Sequence, residues 1–421
     1  VHDCMDAGGR ATSGTVADGC TNVAIEWNQW SDAGGDALMV ALADLVDIRG
    51  GGTPSKKVAE YWGGSIPWAS VKDFKSSELS ITQDCITELG VKNSATNVLP
   101  AGTIVVPTRM ALGKVAVTAT NMAINQDLKA LLVKDERVLD KRYLLRFLES
   151  KSDEIAKQGK GATVKGITLD VLRELDVYLP FPNNAEKSLK EQKRIAAILD
   201  KADAIRRKRQ EAIQLADDFL RSVFLDMFGD PVSVDKVSFG DVVAIDAKMV
   251  DPREDAYIDL VHIGPDRIEK ETGMFLPALT AREEGLISKK FLFDERHVLY
   301  SKIRPYLRKC ALANNVGLCS ADMYPIRAID GKTTREFIWM LLLSEQFSHY
   351  TETLPDRASI PKLNRTELAL FEFSLPKYES QVKFSKVVNS VLSMKSRYAI
   401  EVSKENLLFG SLSQKAFSGK L

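Results

Sequence analysis

Basic side chains gather in loops along this chain. Arg109 stands between the strand-like runs 103–107 and 114–118, and Lys160 and Lys165 lie in the glycine-rich stretch GKGATVKG. Arg304 and Arg308 bracket RPYLR, and Arg357, Lys362 and Asn364 share the segment DRASIPKLN. Arginine and lysine present donors that match guanine, asparagine matches adenine, and all of them reach phosphate. Loops on a rigid scaffold are where such readout sits. Taken singly, each residue is equally a solvated surface charge; the reading as a DNA contact rests on their clustering. Lys56 belongs to a different loop, RGGGTPSKK at 49–57, where glycines allow backbone to approach a ligand and lysines can hold a phosphate. That loop has neither Walker nor dinucleotide spacing, so a plain tight turn and a DNA-facing one both remain.

Catalytic groups do not assemble in the sequence. His2, His262, His297 and His349 are widely separated and form no triad or metal-ligand spacing, and the Asp and Glu pairs are too scattered to name a nuclease site. A metal at His2, Asp3 and Cys4 would lack a spaced ligand set.

Two long helices must position the loops. From 189 to 229 no proline or glycine interrupts before Gly229, and Ile195, Ile198, Ala202, Ile205, Ala212, Ala216, Phe219 and Val223 recur at three- and four-residue steps, with Arg209 at one polar step. That spacing predicts an amphipathic helix with a coiled-coil seam, roughly 60 Å long at 1.5 Å per residue. The stretch returns at the C-terminus displaced by 189 positions: Gln192 falls on Gln381, Ser222 on Ser411 and Phe228 on Phe417, and the seam becomes Phe384, Val387, Val391, Met394, Tyr398, Glu401, Glu405, Leu408 and Leu412. Such repeats dictate architecture.

The segments ahead of each helix match as well. Arg109, Lys114, Ala116 and Asp127 meet Arg304, Lys309, Ala311 and Asp322 at a displacement of 195, and Asp44, Val46 and Ile48 meet Asp241, Val243 and Ile245 at 197. Strands are expected at 103–107, 114–118, 129–133 and 298–301, and helices at 142–157 and near 335–350. The fold class is therefore α+β: two mixed α/β globules at 38–186 and 235–378, with helices at 187–230 and 379–421 forming an antiparallel coiled coil by internal duplication. Residues 1–37 are an atypical extension without a counterpart or a signal-peptide pattern.

Composition permits this plan. A length of 421 with 45% hydrophobic residues suits two or three domains, and no apolar run is long enough to span a bilayer. Charges balance at 57 basic and 57 acidic, which leaves room for local basic faces. Five cysteines without a CxxC pair or framework read as a chain of the reducing cytoplasm. The Arg206-Arg207-Lys208-Arg209 tetrad is either a phosphate contact or a solvated helix face with Arg209 near Tyr398. Phe224, Leu225, Met227 and Phe228, in FLDMFG, exceed what a two-helix seam requires; they are candidates for partner docking, with packing on the neighbouring globule as the alternative.

The duplicated plan, the GGTPSK loop, GATVKGIT leading to LPFP and EQKRIAAILD, FLDMFGDP, and the terminal QKAFSGKL together resemble the specificity subunit of a type I restriction-modification system over 38–421. The resemblance implies two target-recognition domains on paired helices, each reading half of a bipartite sequence in double-stranded DNA, with methyltransferase and restriction subunits as partners. It implies a non-catalytic chain without cofactors, S-adenosylmethionine, Mg²⁺ and ATP residing on partner subunits. In keeping with it, the chain has no cofactor glycine motif, no Asn/Asp-Pro-Pro-aromatic loop and no Walker loop. The second half departs from the pattern, with Asp246-Ala247-Lys248-Met249 in place of the GGTP turn. A stand-alone nuclease and a coiled-coil scaffold are the alternatives.

Overall fold

A computed structural model describes residues 37–161, 164–229, 236–245, 248–354 and 361–421. The expectations for 1–36, Arg357 and the Asp246-Ala247 turn fall outside the described residues. The chain divides into one unit of residues 1–207 with 403–421 and another of 208–402, so the division falls inside the long helices.

In the first unit, Leu128–Val133 is antiparallel to Val46–Gly50 on one side and Ile104–Pro107 on the other, with Leu131 opposite both Ile48 and Ile104. Ala116–Thr118 and Glu78–Leu79 complete a five-stranded sheet. Every residue of Ile104–Pro107 is buried. Both faces are covered: Ile104, Val106 and Leu131 pack with Tyr143, Leu144 and Phe147 of the helix Lys141–Ser150, while Val105 and Ala130 pack with Met122 and Ile124 of a second, four-stranded sheet. A strand enclosed on two sides needs a continuous apolar run, which is what IVV supplies.

The second unit follows the same order. Met323–Ala328 lies between Val243–Ile245 and His297–Ser301, with Ile326 opposite Ile245 and Val298. Val298, Tyr300 and Ile326 face the helix Arg335–Leu343, and Leu299 and Ala311 face a second four-stranded sheet. Val46 and Val243, matched in sequence, each begin a strand.

The helices expected at 142–157 and 335–350 are each two. Lys141–Ser150 is followed by Ser152–Lys157, and Arg335–Leu343 by Glu345–Glu352. At the second break Ser344 is extended and its hydroxyl accepts from the Phe347 N–H at 3.3 Å, capping a new helix.

The long helices are Ala185–Phe228 and Tyr378–Ala416. Their buried stripes differ from the expected seams. Ile195 and Ala216 are buried as expected, but Ile205 and Phe219 are 44% and 52% exposed, and their places are taken by Leu199, Leu220 and the carboxylates Asp203 and Asp217. In the second helix Val388 and Lys395 are buried, one position beyond the expected Val387 and Met394, and Leu408 is exposed. An apolar periodicity cannot register a stripe that carries charged partners. Asp203 accepts from Arg146, Arg206 and Arg207, and Asp217 from Lys395.

The same pairing engages part of the basic tetrad. Arg206 and Arg207 bond Asp203 on their own helix, and Arg206 also lies 5.0 Å from the Phe409 ring. Arg209 meets Glu401 at 3.4 Å. Cys310 and Cys319 are free, and burial pushes both thiols up. Cys85 is disulfide-bonded, which the cysteine spacing did not anticipate.

Candidate nucleic-acid interface

Two loops meet in each unit, and the meeting is made by backbone. In the first, Thr108 donates its N–H to Asp127 O at 2.8 Å and its carbonyl accepts from Ile167 N–H at 2.9 Å; Met110 N–H reaches Lys165 O at 3.1 Å. Lys160 and Gly166 exchange two bonds of 2.9 Å, closing the glycine-rich loop on itself. Gly166 fits closely there: an added Cβ would lie 3.3 Å from both Thr108 O and Arg109 Cγ. A cavity of about 520 Å³ opens at this junction, lined by Arg109, Gln158, Lys160, Val164 and Thr168 among others.

In the second unit Lys302 donates to Asp322 O at 3.0 Å and accepts from Leu363 N–H at 2.8 Å, and Arg304 N–H reaches Pro361 O at 2.9 Å. Thr108 therefore corresponds to Lys302, and Met110 to Arg304. Lys114 and Lys309 also correspond, since their ammonium groups donate to the carbonyls of Phe74 and Pro265 at 3.0 and 2.7 Å. The displacement is 194 at the start of the turn and 195 at its end. One extra residue thus lies within 305–308 relative to 111–113, and the sequence pairing of Arg109 with Arg304 is corrected: Arg109 corresponds to Ile303.

Charge at the junction is partly compensated. Arg109, with 66% of its side chain exposed, holds Nε 3.8 Å from Asp127 Oδ1. Lys302 Nζ lies 4.0 Å from Asp322 and 5.6 Å from the Tyr324 ring. Burial lowers the Lys129 ammonium, with Asp127 acting in the opposite sense and Arg109 in the same one.

The residues named from sequence fall into different places. Arg109 and Lys160 line the first-unit cavity, while Lys165 is exposed and supplies the carbonyl that holds Met110. Arg304 and Lys362 are exposed on the second-unit loop pair, where Ile303 and Lys362 form a backbone bridge. Arg308 is instead committed to Glu345, through bonds of 2.8 and 2.9 Å. Asn364 is a helix cap: its side chain accepts from Glu367 N–H at 2.9 Å, and Glu367 returns the bond at 3.0 Å.

Lys56 is exposed on the GGTP loop, whose glycines are explained from within. A Cβ on Gly51 would sit 2.0 Å from Ile124 O and one on Gly52 2.6 Å from Ala95 C, and Gly52 O accepts from Trp68 Nε1 and Thr96 Oγ1 at 2.9 and 2.6 Å. The close approach is to the protein's own backbone. The docking candidates are packed to different degrees. Phe224 is buried, its ring 5.7 Å from Phe337 and 5.6 Å from Phe384, and Met227 and Phe228 pack against the same core. Leu225 alone of the four is freely exposed, at 63%.

The sequence candidates did not include Gln158, Met110 and Lys302, although Gln158 and Lys302 lie in the same basic loops. Gln158 was readable as an amide beside a glycine-rich loop; Met110 carries no signal in its residue type, since its position depends on backbone geometry.

Each of the two mixed α/β units thus carries an anchored loop pair that displays basic side chains. Residues 36–215 match the family model described as the type I restriction modification DNA specificity domain. The chain is 25% identical over 333 residues to the type I restriction enzyme MjaIX specificity subunit of Methanocaldococcus jannaschii, covering 72% of this chain and 74% of that one. It is 34% identical over 176 residues to the EcoR124I/EcoR124II specificity subunit of Escherichia coli, covering 41% and 42%. The crystal structure of a type I restriction-modification S subunit from M. genitalium shares the fold, with a TM-score of 0.55 at 14% identity over 92% of this chain and 97% of that one. Residues 36–215 thus match the specificity-domain model, and over about 70% of its length the chain is similar to type I restriction enzyme specificity subunits.

Proposed function

We propose that this chain is the DNA-recognition subunit of a type I restriction-modification complex, each unit reading one half of a bipartite target. The observation that carries the proposal is the loop junction repeated in both units, with Arg109, Lys160 and Lys165 on one and Arg304 and Lys362 on the other. These five are the base or phosphate contacts; Lys56 is a phosphate contact on a separate loop, and Arg308 and Asn364 shape the second junction. The chain recognises and does not catalyse.

The units descend from an internal duplication, a reading supported by the shared acceptors at Thr108 and Lys302 and by the shared strand order. The long helices pair as an antiparallel coiled coil. Supporting this are Asp217 with Lys395 and Phe224 with Phe384 in the second unit, and Arg206 with Phe409 in the first. The helices act as spacer between half-sites and as docking surface for methyltransferase subunits, with restriction subunits completing the complex in the cytoplasm. S-adenosylmethionine, Mg²⁺ and ATP belong to those partners.

Selection of bound molecules from random-sequence duplex DNA tests the proposal. Enrichment of a split motif is expected. Metal-dependent cleavage by this chain alone would make it a nuclease, and neither outcome would leave a scaffold.

A further inference from the structure

Met110 and Arg304 hold the same place in their units, and both are strained. Their backbones are left-handed, at φ 63° and φ 50°, in a region that residues bearing a Cβ rarely adopt. Each amide is tied across to the facing loop, to Lys165 O and Pro361 O. Each turn closes at a second left-handed residue just before Lys114 or Lys309: Gly113 at φ 81° in the first unit and Arg308 at φ 47° in the second. Glycine would relieve the strain at Met110 as it does at Gly113. The methionine side chain gains little burial in exchange, being 60% exposed. A strained position that shows its side chain to solvent, repeated in two units with different residues, marks a place where the side chain itself is used.

The two side chains differ in what they recognise. A guanidinium pairs with O6 and N7 of guanine, whereas an unbranched thioether offers no hydrogen bond and makes apolar contact with the 5-methyl group of thymine. Arg109, next to Met110 in the chain, and Lys160, which lines the same cavity as Arg109, supply positive charge for a phosphate backbone at this junction. Resting on the reading of this chain as a DNA-recognition subunit, we infer that residues 110 and 304 are the matched base-specifying positions of the two half-sites, Met110 selecting thymine through its methyl group and Arg304 selecting guanine.

The test uses the full chain assembled with its methyltransferase subunits. The wild-type complex first selects its split motif, and each thymine of the motif is then replaced singly by deoxyuridine. At one position binding weakens about three- to fourfold, the worth of one buried methyl group, and Met110→Ala abolishes that sensitivity. Met110→Arg changes the selected base at that position from thymine to guanine, and Arg304→Ala relaxes a guanine in the other half-site. The half-site a variant does not touch is its folding control, and Met110→Gly, which relieves the strain, supplies a second apolar-deletion variant. A normal wild-type motif that neither Met110→Ala nor Met110→Arg alters overturns the assignment alone. A wild-type complex that enriches no motif overturns the recognition reading and the assignment with it.

Discussion

Lys395 bonds Asp217 inside the second unit, and the two side chains are only 4% and 6% exposed. Burial pushes the Asp217 carboxyl above its ordinary range even with the ammonium beside it. Removing one partner leaves a buried charge without compensation, so Asp217→Ala is expected to cost about 3–5 kcal/mol, whereas Asp217→Leu combined with Lys395→Met is expected to be near neutral. Urea unfolding of the full-length variants measures both. A double variant as unstable as the single one would show that the pair is not the source of the loss.

Gln192 and Gln381, both fully buried, do the same work in different units. The Gln192 carbonyl accepts from the N–H of Asp140, the cap of Lys141–Ser150, and its amide donates to Val138 O, each at 2.9 Å. The Gln381 carbonyl accepts from Thr334 N–H at 3.1 Å and the Thr333 hydroxyl at 2.7 Å, and its amide donates to Pro376 O at 2.8 Å. Substitution by leucine strands these groups, at about 1–3 kcal/mol each. Gln192→Leu is expected to speed hydrogen exchange in Lys141–Ser150 and Gln381→Leu in Arg335–Leu343; equal effects on both helices from either change would refute the assignment.

The long helices and the central strands were legible because both depend on runs of residue type. IVV and HVLYS announce two-sided strands, and an uninterrupted stretch from 189 to 229 announces a helix. The buried stripe was misread where stability runs through ion pairs. Asp203 and Asp217 look like surface residues until Arg146 and Lys395 are placed against them. The candidate site was legible as a set of basic loops, but not in its register. A single-residue difference in length between two turns moves Arg304 from the counterpart of Arg109 to that of Met110, and only the hydrogen bonds to Lys165 and Pro361 reveal it. Glycines 51 and 52 were visible as constrained; what they approach was not.

Acid should expose a local contribution at Asp294. Arg296 chiefly, with His297 adding to it, holds this carboxyl down to about 2. A folded value below the unfolded one, near 3.9, means stability that is present above about pH 4 and lost as pH falls through about 2. Arg296→Gln removes the principal cause. The variant is therefore expected to be less stable than wild type at pH 5 to 7, with the difference shrinking as pH falls from 4 toward 2. Unfolding midpoints at a series of pH values check this, and a difference independent of pH would contradict it.

Arg308 is tied to Glu345, whose carboxylate is itself 86% exposed. The pair lowers the Glu345 carboxyl and raises the guanidinium through their mutual hydrogen bonds. Glu345→Gln removes a negative charge from the second-unit loop region and frees a cation. Affinity for duplex DNA of any sequence is expected to rise and its dependence on salt to steepen by about one unit of slope. Stability should change by less than about 1 kcal/mol, as for an exposed pair. Unchanged binding at several salt concentrations would place Arg308 away from the DNA.

The end of the first long helix separates packing from docking. Phe224 meets Phe337, Phe384 and Phe228 at ring distances of 5.7, 5.6 and 5.4 Å, and Met227 packs on the same core. Changing Phe224 and Met227 together to serine removes apolar contacts and sets a hydroxyl into the core at Phe224, so a loss of about 3–5 kcal/mol or more from the second unit is expected. Any failure to co-purify with a methyltransferase subunit would then report unfolding. Leu225 lies one residue away but is 63% exposed, and Leu225→Ser should leave thermal unfolding nearly unchanged. If this part of the helix is a docking surface, Leu225→Ser weakens co-purification while the chain stays folded. Undiminished co-purification by Leu225→Ser, beside an unfolded Phe224→Ser/Met227→Ser variant, would confine the FLDMFG cluster to the core and move the docking surface elsewhere.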